Sequence, residues 1–280
     1  MSSVWLNGRM VPVEQATVPI TDHGLTVGDG VFETTKVIHG VPFARTRHLA
    51  RLHDSARAIG LPLPDDDYLR AAIDAVCATV ADAPLARLRL TVTAGPGPAG
   101  SARGAGPPTV WASATPTSPP SAPETAIVVP WRRNENGALT GVKTTSYAEN
   151  VVALATARAA GVGEALLANT AGELCEGTGT NVFCVLDGVA CTPPLRSGCL
   201  AGVTRALLLA WCPQVVERSL SLADLARAEE VFLTSATRDV HAVASVDGRR
   251  PGGPKAPVPG PVTTAIAARF AARAAEDHDP

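Results

Sequence analysis

Gly141-Val142-Lys143-Thr144-Thr145-Ser146-Tyr147-Ala148-Glu149-Asn150 is the stretch around which the rest of the chain is read, because its lysine stands in a sequence that avoids lysine. The other lysines are Lys36 and Lys255, and nearly every remaining cation is arginine. Arginine serves wherever a fixed positive charge is wanted, but it keeps its proton near neutral pH and cannot act as an amine nucleophile. Amine chemistry therefore falls to one of three residues. Lys255 lies between Pro254 and Ala256-Pro257, in a loop with little means of burying an amine. Lys36 ends the alternating run Val31-Phe32-Glu33-Thr34-Thr35-Lys36-Val37 and is expected to point out from a strand or its rim. Lys143 is expected at the mouth of a helix, beside hydroxyls and a tyrosine. A lysine there can be structural, whereas one that attacks a carbonyl needs its pKa lowered by burial or a neighbouring cation.

At 280 residues the chain can form two modest domains or one large one, each with its own core. A net charge of -2 with no basic stripe argues against nucleic acid or an anionic membrane surface as the main partner. No apolar run approaches the roughly 20 residues that span a bilayer. The opening Met1-Ser2-Ser3-Val4-Trp5-Leu6-Asn7-Gly8-Arg9 lacks the basic and then apolar sections of a signal peptide. Cys77, Cys175, Cys184, Cys191, Cys199 and Cys212 show no metal-ligand spacing, so they read as buried thiols in a reducing cytoplasm, with no metal site expected.

Working outward, Asn7-Gly8 marks a hairpin, and a second is expected from Gly30 to Phe43, turning at His39-Gly40. Helices are expected over 46–59 and 65–80, and a strand over 86–94 with Leu88, Leu90 and Val92 on one face and Arg87, Arg89, Thr91 and Thr93 on the other. Arg51, beside the apolar stripe of the first helix, reads by itself as a snorkelling surface residue. Thr115 to Pro123 cannot hold a regular element, which gives a small N-terminal domain over 1–118, a linker over 119–124 and a larger domain over 125–280. Beyond it a helix is expected over 147–160, then closely spaced hairpin strands over 164–192 that suggest a curled or barrel-like sheet. A helix over 203–211 opens on Gly202, a strand over 231–237 ends in hydroxyls, and an amphipathic helix over 262–275 closes the chain.

The second half thus offers a lone amine, the acidic turn Glu176-Gly177-Thr178-Gly179-Thr180-Asn181, a helix N-terminus at Gly202-Val203-Thr204, and a hydroxyl turn at Thr234-Ser235-Ala236-Thr237. Those are the parts a pyridoxal phosphate (PLP) site requires: an amine for the aldehyde, a carboxylate for the pyridine nitrogen, and neutral donors for a dianionic phosphate. The motifs Asp29-Gly30-Val31-Phe32-Glu33, Arg47-His48-Leu49-Ala50-Arg51-Leu52, Lys143, Glu176-Gly177, Asn181-Val182-Phe183, Thr192-Pro193-Pro194 and Leu200-Ala201-Gly202-Val203-Thr204-Arg205 recur in order over nearly the whole chain. In them the sequence resembles the fold type IV, class IV PLP-dependent aminotransferases, a family that spans branched-chain aminotransferases, D-amino-acid aminotransferases and aminodeoxychorismate lyases.

The resemblance implies an α/β (α+β) fold, a small N-terminal domain beside a larger domain with a barrel-like sheet and helices. It implies that Lys143 is the Schiff-base lysine and proton shuttle, that Glu176 pairs with the pyridine nitrogen, and that Leu200 packs on the cofactor ring. Arg51 then holds the phosphate with Val203, Thr204 and the turn Ser235, Ala236 and Thr237. Tyr147 falls near a tyrosine that branched-chain enzymes place by the cofactor. Phe32 stands where the best-known D-amino-acid enzymes carry tyrosine, and Ala94-Gly95 lacks their substrate-binding arginine. Arg87, Arg89, Arg133 and Arg238 are then the candidates for the substrate carboxylate, with Arg133 preferred. The expected activity is transamination between an amino acid, a D-amino acid or related primary amine being favoured, and a 2-keto acid. The alternatives are aminodeoxychorismate lyase, releasing pyruvate and 4-aminobenzoate, and branched-chain L-amino-acid transamination. A homodimer follows from the same resemblance.

Overall fold

The computed structural model describes residues 3–280 and divides into two compact units. The first comprises residues up to Pro119 together with Val142–Tyr147 and His278–Pro280. The second comprises Pro120–Gly141 and Ala148–Asp277. Lys143, expected within the stretch 125–280, therefore packs with the first unit.

In the first unit, β1 (Ser3–Leu6), β2 (Arg9–Pro12), β3 (Gly30–Ile38), β4 (Val41–Pro42), β5 (Ala86–Thr93) and β6 (Thr109–Pro116) form one sheet in the order β2-β1-β6-β5-β3-β4. Every pairing in it is antiparallel. The hairpin dipeptides sit where the sequence places them, with Asn7 and His39 at positive φ before Gly8 and Gly40. A short α1 (His23–Thr26), not foreseen, lies in the span 22–30, which carries Gly24, Gly28 and Gly30. α2 (Arg45–Ala58) and α3 (Asp66–Ala78) cover one face of the sheet, Leu49, Leu52, Leu69 and Ile73 packing against Leu88, Leu90, Val92 and Val110.

Side chains alternate across a strand, so neighbours on β3 serve opposite faces. Val31 belongs to the helix-covered core and Glu33 turns the same way, to α2, while Phe32 looks out from the other face. Lys36 departs from its expected outward position. It is buried, its ammonium 4.6 Å from the centre of the Phe43 ring. Thr91 and Thr93, on the face opposite Leu88, Leu90 and Val92, are buried too, so β5 is covered on both faces toward its end.

The second unit holds β7 (Glu124–Arg133), α4 (Ala148–Ala159), β8 (Glu164–Asn169), β9 (Leu174–Gly177), β10 (Asn181–Leu186), β11 (Val189–Thr192), α5 (Val203–Trp211), β12 (Val215–Glu217), α6 (Leu222–Arg227), β13 (Glu230–Ser235), β14 (Asp239–Val246) and α7 (Pro261–Glu276). Its mixed sheet runs β12-β11-β10-β13-β14-β7-β8-β9. β9 and β10 are five places apart in that order, yet only Thr178–Thr180 joins them. Laid flat, five spacings of about 4.8 Å come to about 24 Å. Four Cα steps reach at most about 15 Å. The sheet must therefore curl, and the Gly177 N–H bond to the Thr180 carbonyl, 2.8 Å, closes the turn. α4 packs on β7 and β8 with Ala153 and Ala157 against Val129, Ala165 and Leu167, and the two helix alanines let it sit close. α6 is fixed by a Ser221/Asp224 capping box, a signal present in the sequence but passed over. Among the described residues no helix is long and apolar enough to cross a membrane.

Candidate active site

The lysine stretch owes its position to main-chain pairing with the first turn of β3. The Phe32 N–H bonds the Lys143 carbonyl at 3.0 Å, Val31 and Thr144 form an antiparallel bridge, and the Thr145 N–H bonds the Gly30 carbonyl at 2.8 Å. Gly30 permits this approach, since a Cβ there would stand 2.9 Å from Thr145 Oγ1 and 2.8 Å from the Val92 carbonyl. Lys143 is thus held in an extended segment, five residues before α4 begins at residue 148 and further from the helix than expected. Its N–H also donates to Ser55 Oγ of α2 at 3.2 Å.

The Lys143 ammonium lies 4.3 Å from the centre of the Phe32 ring, and the guanidinium carbon of Arg89 lies 3.8 Å from the same ring. Tyr147 meets Phe32 edge to face at 5.4 Å, and Trp111 stands 5.7 Å from Arg89. Arg89 is half-buried, and burial lowers its pKa. Its Nε donates to Thr91 Oγ1 at 3.2 Å. Arg87, one alternation earlier on β5, is exposed.

Arg51 is not the snorkelling cation its position alone suggested. Its Nε and Nη2 donate to the two carboxylate oxygens of Glu33 at 2.8 and 2.7 Å, which fixes the direction in which Nη1 points. His48 Nδ1 lies 2.6 Å from Glu33 Oε2. Desolvation pushes the buried Glu33 carboxyl up, but the Arg51 charge and the hydrogen bonds from Arg51 and His48 outweigh it and hold the pKa at about 2. Burial pulls the His48 pKa down against the opposing pull of Glu33. Sequence reasoning quoted Glu33 and His48 without a role; the signal was an acid on the inner face of a strand otherwise buried on both sides.

In the second unit Glu176 sits on β9 itself rather than in the turn that follows. Its Oε2 accepts the Leu200 N–H at 2.9 Å, and its Oε1 lies 3.2 Å from Arg133 Nε, without hydrogen-bond alignment. Arg133 is further engaged by Glu149 and by Asn150 Oδ1 at 3.3 Å. Arg238 faces Glu124 and Glu164 at 3.3 and 3.4 Å.

α5 starts without a side-chain cap, so the N–H groups of its first turn, Val203 and Thr204 among them, have no acceptor from the helix. A Cβ on Gly202 would come within 1.9 Å of Asn181 Oδ1, and Asn181 Nδ2 donates to the Leu200 carbonyl at 2.9 Å. Asn181 is the cross-strand partner of Thr234, whose buried hydroxyl has no hydrogen-bond partner. The starts of β10 and α5 and the end of β13, leading into Ser235, Ala236 and Thr237, are thereby brought together around Asn181. An uncapped helix start, the Thr204 hydroxyl and an orphaned buried hydroxyl suit an anion with several acceptor oxygens. Glu176 is a carboxylate suited to a protonated ring nitrogen. The donor set fits PLP within each unit taken by itself. Among the described residues no cluster could hold a metal ion.

Comparison with known proteins agrees. The profile of amino-transferase class IV matches residues 30–246. A protein of Methanocaldococcus jannaschii described as "Putative branched-chain-amino-acid aminotransferase" is 38% identical over 258 residues, 88% of each chain. A D-alanine aminotransferase of Bacillus licheniformis is 32% identical over 275 residues, 93% of each. The solved branched-chain amino acid aminotransferase of Escherichia coli superposes with a TM-score of 0.85 at 31% identity, covering 95% of this chain and 91% of that one. The chain belongs to the class IV aminotransferases, and with them it is a PLP-dependent enzyme.

Proposed function

We propose that the chain moves an amino group between an α-amino acid and a 2-keto acid, with Lys143 as the cofactor-bearing and proton-carrying residue and Arg89 as the clamp for the substrate carboxylate. The observation that carries this reading is the Phe32 ring shared by the Lys143 ammonium and the Arg89 guanidinium, whose separation cannot exceed the two ring distances taken together. In an α-amino acid the nitrogen and the carboxylate carbon both hang from Cα, so an amine exchanged at Lys143 carries its carboxylate into reach of Arg89. Arg133 and Arg238 are engaged by carboxylates of their own unit, which favours Arg89 for this task.

PLP supplies an electron sink for the bond broken at Cα. Once its amine is free, Lys143 would take the Cα proton and later return it, general-base help that is typically worth about 10²- to 10⁴-fold. Glu176 would keep a proton on the ring nitrogen; its Oε2 is held by the Leu200 N–H and its Oε1 faces the Arg133 charge at 3.2 Å. Arg51 in the first unit, and the Val203 and Thr204 N–H groups with Ser235, Ala236 and Thr237 in the second, are the groups that would bind the phosphate. Leu200 would pack on the cofactor ring, while Phe32, with Tyr147 edge to face upon it, lies beside Lys143.

Branched-chain L-amino acids are the favoured donors, on the strength of the archaeal and E. coli relatives; D-alanine is the next candidate. The test is a panel of L-branched amino acids, D-alanine, (R)-amines and aminodeoxychorismate with 2-oxoglutarate. Arg89→Leu should raise KM for carboxylate-bearing donors and leave a carboxylate-free amine unchanged. Pyruvate released from aminodeoxychorismate without a keto acceptor would replace transamination by the lyase reaction. The same reading places the enzyme in the cytoplasm, consistent with six free and buried cysteines. It works as a homodimer: Val18, Ile20, Leu25 and Val27, neighbours in sequence, are exposed, Ile20 by 82% and Leu25 by 66%.

A further inference from the structure

α2 begins badly by local rules. Its N-cap, Ala44, has a left-handed backbone (φ 52°) and no side-chain acceptor, and its first turn carries no acid. Two arginines, Arg45 and Arg47, stand instead at the end where the helix dipole is positive. A helix so begun should fray, yet this one carries His48 and Arg51 and, a turn further on, Ser55, which fixes the main chain of Lys143.

The missing acceptors come from residues 278–280, which fold with the first unit. The His278 carbonyl accepts the Ala44 N–H at 2.6 Å. Asp279 Oδ1 accepts the Thr46 N–H at 2.7 Å, and Oδ2 accepts the Thr46 hydroxyl at 2.6 Å. The Pro280 carbonyl accepts Arg47 Nε at 2.6 Å. Asp279 thus performs the work of an N-cap, a carboxylate on a first-turn N–H, from a position 233 residues away in sequence. It also puts a negative charge at the positive end of the helix dipole.

We propose that Asp279 is a positioning residue for the cofactor: by capping α2 it holds the helix that presents Arg51, and so sets the affinity for the phosphate group. This rests on the assignment of Arg51 to the phosphate. Arg51 lies five residues after Thr46, about 7.5 Å along the axis. Fraying of the first turn would therefore disturb His48 directly, and through it the Glu33 carboxylate that grips Arg51.

The test uses the full chain stripped of cofactor and reloaded, in four forms: wild type, Asp279→Ala, Asp279→Asn and Arg51→Ala. Binding of PLP and of pyridoxal, which lacks the phosphate, is titrated by absorbance, and amide exchange is followed over residues 44–48. Asp279→Ala should lose exchange protection there and weaken PLP about 3- to 10-fold with pyridoxal unchanged, the size expected of a lost cap. Asp279→Asn, which keeps an acceptor but not the charge, should recover part of both losses. If Arg51→Ala discriminates PLP from pyridoxal while Asp279→Ala does not, or if Asp279→Ala weakens both ligands equally, the positioning role is overturned and the Arg51 assignment stands. If Arg51→Ala fails to discriminate, the phosphate assignment itself falls and takes the positioning role with it, whatever the exchange data show.

Discussion

At the scale of single residues, the chemistry rests on charged groups whose partners sequence pattern does not display. Lys143 stands out in the sequence because arginine replaces lysine almost everywhere else, and Arg51 and Glu176 are named there through motifs. The role of Glu33 is not legible there. Strand alternation states which face a residue takes, not that an acid on the inner face meets an arginine two elements away. The Glu33 carboxyl, held at about 2 against an ordinary value of 4.5, stabilises the fold fully above about pH 4.5 and loses that contribution as pH falls through about 2. Glu33→Gln leaves Arg51 buried beside a neutral partner and should cost about 3–5 kcal/mol at pH 7. Urea denaturation from pH 8 to 2 should show a constant difference between wild type and variant down to about pH 4.5 that shrinks below it. A difference independent of pH throughout would show that the Glu33 charge is not what matters. Thr234 makes the opposite case, since its buried hydroxyl has no partner in the protein. Thr234→Val should leave the cofactor-free protein as stable or slightly more so, because an unsatisfied buried hydroxyl costs about 1–3 kcal/mol. If the hydroxyl serves the phosphate, PLP titration should show weaker binding in the same variant.

At the scale of elements, the hairpins at Asn7-Gly8 and His39-Gly40 and the helix 203–211 were readable because turn residues and periodicity are local properties. What was misread depends on neighbours far along the chain. β9 runs on to Gly177 because β8 offers it partners, Leu166 facing Gly177 and Leu167 facing Glu176, and so Glu176 is carried on a strand. Residues 142–147 are extended because β3 has an unpaired edge over Gly30–Phe32, a vacancy the local sequence does not announce. α5 shows how one missing side chain sets a site. Gly202→Ala places a Cβ 1.9 Å from Asn181 Oδ1 and must push apart the starts of α5 and β10. The variant should fold, since the helix core of Leu207 and Leu208 is untouched. Its affinity for PLP should fall at least 10-fold, a shift of about 1.4 kcal/mol, and equilibrium dialysis with unchanged affinity would remove α5 from the phosphate site.

At the scale of the whole molecule, composition and the order of motifs were enough to reach the family, and the class IV profile over residues 30–246 confirms it. Substrate was not legible, because the four candidate arginines differ only in their surroundings. The exposed apolar stretch around Ile20 and Leu25 belongs to this scale as well. Light scattering should give twice the chain mass of 28.7 kDa, and Ile20→Glu with Leu25→Glu should give the single mass. A wild-type monomer would leave that patch unexplained by self-association. The proposed chemistry comes down to one covalent bond. Borohydride reduction of the PLP-loaded enzyme, followed by peptide mass spectrometry, should place the pyridoxyl group on Lys143. Finding it on Lys36 or Lys255, or finding none, would contradict the account.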